Sequence, residues 1–98
     1  MIVRIVKMEF VPEHSEAFLN LFESVKDKIR MQEGCYHLEL LREQPGGNIF
    51  FTYSHWEDEA ALNKYRHSNL FEVTWKKTKA LFSQRAQAWS ATQEHVLC

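Results

Sequence analysis

The stretch from Phe50 to Trp75, FFTYSHWEDEAALNKYRHSNLFEVTW, narrows the possible folds more than any other part of the chain. A β-rich run closes on Trp56 and passes without a linker into Glu57-Asp58-Glu59, acids that favour the positive end of a helix macrodipole. That helix is expected to reach about His67. Ser68 then makes a good N-cap for a further helix of roughly four turns, whose inward face carries Phe71, Trp75, Thr78 and Phe82. The joint says much about the fold and little about chemistry, because no unmistakable catalytic motif lies inside it.

Upstream, Ile2 to Phe10 reads as a strand, with Ile2, Val6, Met8 and Phe10 on one face and Val3 and Ile5 on the other. Apolar residues on both sides call for cover on both faces of the sheet. Pro12 is placed to open a helix, where its missing N–H costs nothing. Phe18, Leu21, Phe22, Val25 and Ile29 then recur at helical spacing, with Gly34 as the natural stop. Cys35 to Arg42 is a second strand, with Leu38 and Leu40 facing one way and His37, Glu39 and Leu41 the other. Gln44-Pro45-Gly46-Gly47-Asn48 is turn chemistry, so this strand should form a hairpin with Ile49 to Trp56. A fourth strand is expected around Ala86 to Val96, where the alternation is weaker.

The resulting order is β-α-β-β-α-β with the second helix split in two. It is a ferredoxin-like α+β fold, a four-stranded antiparallel sheet with helices on one face. The opposite face would leave large apolar side chains in water. A homodimer packing sheet against sheet solves this.

The chain of 98 residues is expected to be one domain, 1–98, near the low end of what a single core can hold together. At 45% hydrophobic and 26% charged it has the composition of a folded soluble protein. A formal net charge of −1 argues against a nucleic-acid partner. Lys76, Lys77 and Lys79 do cluster, but at a predicted helix end, where they complement the macrodipole. No apolar run approaches membrane-spanning length, and the strand pattern starts at Met1 without a signal peptide, so a cytoplasmic protein with reduced Cys35 and Cys98 is expected. His37 and Glu39 share a strand face but lack a third ligand, and no metal is expected there. The absence of a Gly-rich phosphate loop, a GxSxG elbow and an HExxH motif makes nucleotide chemistry and triad hydrolysis poor readings.

Tyr53-Ser54-His55-Trp56-Glu57-Asp58-Glu59-Ala60-Ala61-Leu62, followed by Tyr65 and Ser68-Asn69-Leu70-Phe71, resembles the antibiotic biosynthesis monooxygenase (ABM) domain family. Met1-Ile2-Val3 and Pro12 look like that family's opening, so the resemblance covers nearly the whole chain. It implies a dimeric α/β barrel and a cofactor-independent oxygenase for a small aromatic or polycyclic organic substrate. Two positions depart from the pattern: Ser54 stands where the family often has Glu, and Tyr65 where it often has His. A similar haem-degrading branch uses Asn, Trp and His at positions falling near Met8, on Tyr65 and on Trp75. None matches, so haem gains no support as a substrate.

Beside that resemblance stand the residues themselves. His55, at the end of the third strand, is the best candidate for a general base, since imidazole titrates near neutrality. Its plainer reading is a strand-end His facing solvent or the dimer partner. Tyr65 shares a helix face with Asp58, Ala61 and Leu62 and should point at the sheet, as a hydrogen-bond donor in a pocket or simply as a core tyrosine. Tyr53, Phe71, Trp75 and Trp89 are candidates to line an aromatic cavity for a flat molecule, although an aromatic stripe at helical spacing is also ordinary core. His67 points away and reads as a surface residue. A non-catalytic dimeric binding or stress-associated module is the competing function, and an isomerase on the same barrel is inseparable from the oxygenase by sequence.

Overall fold

Alternation along the first strand decides where the core lies, because every second side chain of Ile2–Phe10 must find apolar cover. In the computed structural model, which describes residues Met1 to Cys98, that cover comes from helices on one side of a single sheet. The elements are β1 (Ile2–Phe10), a 3-10 turn (Pro12–His14), α1 (Ser15–Arg30), β2 (Cys35–Arg42), β3 (Ile49–Trp56), α2 (Glu59–Arg66), α3 (Asn69–Lys79) and β4 (Phe82–Ala91). The strands lie in the order β2-β3-β1-β4, and every neighbouring pair is antiparallel. This is the ferredoxin-like α+β fold.

The caps form where the sequence places them. The Asp58 carboxylate accepts from Ala61 N at 2.8 Å and opens α2. The Ser68 hydroxyl accepts from Phe71 N at 3.1 Å and opens α3, while donating to the Tyr65 carbonyl at 2.6 Å. Lys76, Lys77 and Lys79 occupy the last turn of α3.

Four boundaries differ from the sequence reading, each for a physical reason. Pro12 opens a 3-10 turn, and α1 itself starts at Ser15, whose buried hydroxyl donates to Asn48 Oδ1 at 3.0 Å and ties the helix start to the hairpin. The helix ends at Arg30, before Gly34. Gly34 instead sits at φ +84° in the following turn, where an added Cβ would lie 2.5 Å from the Ala61 methyl. Its carbonyl accepts from Glu57 N at 2.8 Å, so this turn is pressed directly against the start of α2. Helix α3 stops at Lys79, one turn short, because Leu81 and Phe82 are captured by β1: Val11 N donates to the Leu81 carbonyl and Phe82 pairs with Phe10. Strand β4 accordingly runs Phe82–Ala91 and not Ala86–Val96. Its register against β1 shifts twice, between Lys7 and Glu9 and again between Glu9 and Phe10, which hides the strand's alternation.

The densest packing lies under α1. Phe10, Phe18 and Phe50 form a mutual cluster with centroids 4.3 Å (Phe10–Phe18), 5.6 Å (Phe10–Phe50) and 5.3 Å (Phe18–Phe50) apart, and Phe50 is fully buried at 0% exposure. A smaller cluster of Cys35, Trp56 and Leu62 holds α2 to the sheet. Cys35 reaches that side because the register shifts by one residue between Cys35 and His37, with Tyr36 as the extra residue.

Gly34 and Gly46 both have positive φ, but only Gly34 is crowded; nothing lies within 4 Å of a Cβ built on Gly46. Gly34→Ala should therefore lose more than about 2 kcal/mol of unfolding free energy and Gly46→Ala about 1 kcal/mol, as read by urea denaturation. Equal losses would show that the contact between Gly34 and α2 is slack.

Candidate functional site

Small side chains leave a gap where the sheet passes under the helices. The side of β4 that faces them carries Ala86 and Ala88, and the inner face of α3 contributes Thr74 and Thr78. None of these can fill the space between the layers, and a cavity of about 290 Å³ remains. Its floor is Val6, Met8, Thr52, Ser54 and Trp56 of the two central strands. Its roof is Leu21, Phe22 and Val25 of α1, Leu62, Tyr65 and Arg66 of α2, and Phe71 and Trp75 of α3.

One wall is a continuous chain of rings. Trp56 stacks on Tyr65 at 5.0 Å, Tyr65 meets Phe71 edge-on at 5.2 Å, and Phe71 stacks on Trp75 at 5.8 Å. Trp75 then meets Phe82 at 5.6 Å, and Phe82 joins Phe10 at 5.3 Å. The cavity wall is thereby continuous with the core, and its rings are held by their neighbours.

The polar groups of the lining are few. The Trp56 indole donates to Ser54 Oγ at 2.9 Å, and Ser54 Oγ donates to the Arg4 carbonyl at 3.5 Å. Ser54, at the position where the resembled family often has Glu, thus satisfies a buried indole. Burial pushes the Tyr65 phenol far above its ordinary range, with the Cys35 sulfur adding to the effect. Tyr65 therefore remains a neutral hydroxyl. The Cys35 thiol is itself pushed up by burial, against a backbone hydrogen bond at His37 and the Arg30 charge. Arg4 lies beneath α2; burial first, and then the Arg66 charge, push its guanidinium below the usual range. Arg4 and Arg66 are the only charged side chains on the lining, which holds no carboxylate, imidazole or ammonium.

The structure brings together Tyr65, Phe71 and Trp75, and leaves out Tyr53, His55 and Trp89. The reason is strand alternation. Ser54 and Trp56 face the helices, so Tyr53 and His55 on the same strand face the other way. Trp89 pairs with Ile5, and Ile5 with Tyr53, so Trp89 shares that helix-free face. His55 thus has the sheet between it and the cavity. On the helix-free face its ring lies 5.1 Å from both His37 and Tyr53, and His37 Nε2 is 2.6 Å from Glu39 Oε2. His55 Nε2 is buried without a hydrogen-bond partner. His67 is exposed, as expected, with Nδ1 2.8 Å from the Asn63 carbonyl.

Sequence reasoning missed Arg4, Ser54, Trp56, Arg66 and the two alanines of β4 as cavity residues. Arg4 did leave a signal, since it interrupts the apolar face formed by Ile2, Val6, Met8 and Phe10. Ala86 and Ala88 left none, because small residues on a weakly alternating strand look like loop.

The family model described as antibiotic biosynthesis monooxygenase matches residues 1–77. No protein of curated function matches the chain. Among solved structures, one called an antibiotic biosynthesis monooxygenase superposes with TM-score 0.89 at 22% identity, covering 95% of this chain and 98% of its own. A conserved protein from Methanosarcina mazei Go1 gives 0.88 at 21% identity, covering 96% and 94%. SnoaB, a cofactor-independent oxygenase from Streptomyces nogalater, gives 0.84 at 18% identity, covering 98% and 95%. At these identities the likeness is one of fold. No helix here is long and apolar enough to cross a membrane.

The buried phenol makes stability sensitive to alkali. A group whose folded pKa lies above its unfolded value of 10.0 contributes fully below that pH, and its contribution falls as pH rises beyond it. Urea midpoints measured from about pH 9 to 11.5 should therefore decline less steeply in Tyr65→Phe than in the parent protein. Parallel declines would show that the hydroxyl is not sequestered.

Proposed function

The chain belongs to the antibiotic biosynthesis monooxygenase family, and from that membership and the cavity lining we propose that it is a cofactor-independent oxygenase of a small aromatic or polycyclic substrate. The observation that carries this reading is the aromatic cavity itself. It is large enough for a fused-ring molecule, walled by Phe71 and Trp75, and supplied with a neutral hydroxyl from Tyr65. SnoaB, which shares the fold, is itself a cofactor-independent oxygenase.

The substrate suited to such a site has an activated methylene or phenol that ionises readily. With no carboxylate or imidazole on the lining, its proton leaves to water, and the Arg4 charge and the Tyr65 O–H stabilise the anion. The anion passes an electron to O₂ and recombines, forming a C–O bond to a peroxide. The O–O bond then breaks as the remaining C–H proton leaves, giving a carbonyl and hydroxide, which takes up a proton to become water. One oxygen atom enters the product, the other leaves as water, and every electron comes from the substrate.

A second reading, a non-catalytic binding module, is favoured by one observation: the cavity contains no base. Oxygen uptake with a panel of anthrone- and quinol-type substrates separates the two. The oxygenase reading expects uptake above the buffer rate and a loss on the order of a hundredfold in Tyr65→Phe. Ligand binding without uptake leaves the binding module.

The proposal includes a second copy of the chain on the helix-free face. Leu41 and Trp89 are 45% and 49% exposed there, beside Ile5, Phe51 and Tyr53. Together they make an apolar surface of a kind that single chains seldom leave in water. Sedimentation equilibrium should give twice the chain mass, and Trp89→Glu should shift it to one. A parent protein that sediments as a single chain at micromolar concentration would remove the dimer.

A further inference from the structure

We propose that the cavity's ligand carries a carboxylate, and that Arg4 and Arg66 recognise it. The inference rests on reading the cavity as the site of a small aromatic molecule and names the class: a flat aromatic acid.

The lining is mostly apolar, yet two of its side chains are guanidinium groups and none is acidic. The ion pairs of the molecule lie elsewhere, between Lys26 and Glu23, His37 and Glu39, and Lys64 and Glu33. Arg4 donates from Nη1 to Ser90 Oγ at 3.0 Å, and Arg66 reaches Asn63 Oδ1 on its own helix at 3.5 Å. Both partners are neutral. Arg66 sits exposed at the cavity's edge, whereas Arg4 is half-buried with no acid beside it, and the Arg66 charge disfavours that of Arg4. An arginine partly withdrawn from water and beside another cation is costly to keep unless an anion joins it.

Placement strengthens the case. Arg4 stands on the apolar side of a central strand, between Ile2 and Val6, where an aliphatic residue would pack without penalty. Its planar fork matches a carboxylate in bidentate fashion, which a lysine at the same place would not. The stacked pair Phe71–Trp75 supplies a face for a flat ring in the same cavity. Aromatic walls with unpaired arginines suit a molecule having a ring and an acid group.

The test compares 3-hydroxy-2-naphthoate with 2-naphthol, matched in ring system and differing in the carboxylate, by calorimetric titration at low and at high salt. The acid should bind at least roughly tenfold tighter at low salt, as expected of a charge-assisted bond, with the margin shrinking as salt rises. In the double variant Arg4→Gln, Arg66→Gln the preference should vanish, while Arg4→Lys alone should keep part of it. Far-UV circular dichroism confirms that each variant is folded. Equal affinity for the two ligands, no binding of either by the parent protein, or a preference unchanged in the folded double variant would overturn the proposal. Oxygen uptake is read separately. Acid preference without uptake upholds the recognition and removes the oxygenase; uptake on neutral anthrones without acid preference does the reverse.

Discussion

Successive residues of a strand point to opposite faces, and in this chain that rule divides the molecule's chemistry in two. Trp56 is 1% exposed and must lie under α2, so Ser54 faces the cavity with it, and Tyr53 and His55 are committed to the other side. The same parity sends Val6, Met8, Ala86 and Ala88 toward the helices, and Ile5 and Trp89 away. A single residue of slippage in β3 would turn Tyr53 and His55 toward the helices and Ser54 and Trp56 away. Pairing of β3 with both β1 and β2 across nearly its whole length prevents this.

A cavity survives in so small a molecule because rigid groups surround it and short ones face it. The ring chain from Trp56 through Tyr65, Phe71, Trp75 and Phe82 to Phe10 ends in the packed cluster under α1. No ring in it can swing into the space without losing a stacked or edge-on neighbour. The opposing Ala and Thr side chains are too short to close the gap. A core that tolerates such a void forgoes dispersion contacts that a Leu or Phe on β4 would have made. That loss is understandable if the space is meant for something else.

Elements with clean periodicity were legible in the sequence: β1, β2, β3, the apolar stripe of α1, and the caps at Asp58 and Ser68. What escaped was whatever local pattern cannot encode. The register shifts in β4 opposite Lys7, Glu9 and Phe10 break its period, so Phe82 read as the last turn of a helix and the strand seemed to begin later. Gly34 looked like a helix stop, and its actual role depends on a contact with Ala61 that only the folded chain creates. The placement of His55 was available in principle, since Trp56 had to be inside. Proximity in sequence to the catalytic-looking helix outweighed parity, and parity was the stronger constraint.

Electrostatics sets what the cavity can do without a base. A unit charge about 4 Å from an anion contributes about 4 kcal/mol at an effective dielectric near 20, equivalent to about three pKa units. A phenol or activated methylene titrating near 10 in water would then ionise close to neutrality without any group to take its proton directly. On the proposed reading the two guanidiniums divide the work: one pairs with the ligand's carboxylate, and the charge left over favours the ionised form of what the ligand carries. Tyr65 cannot compete for the same proton, because burial keeps its own phenol protonated well beyond that range. On the proposed reading, a site so arranged suits substrates whose acidity is already within reach of a nearby cation.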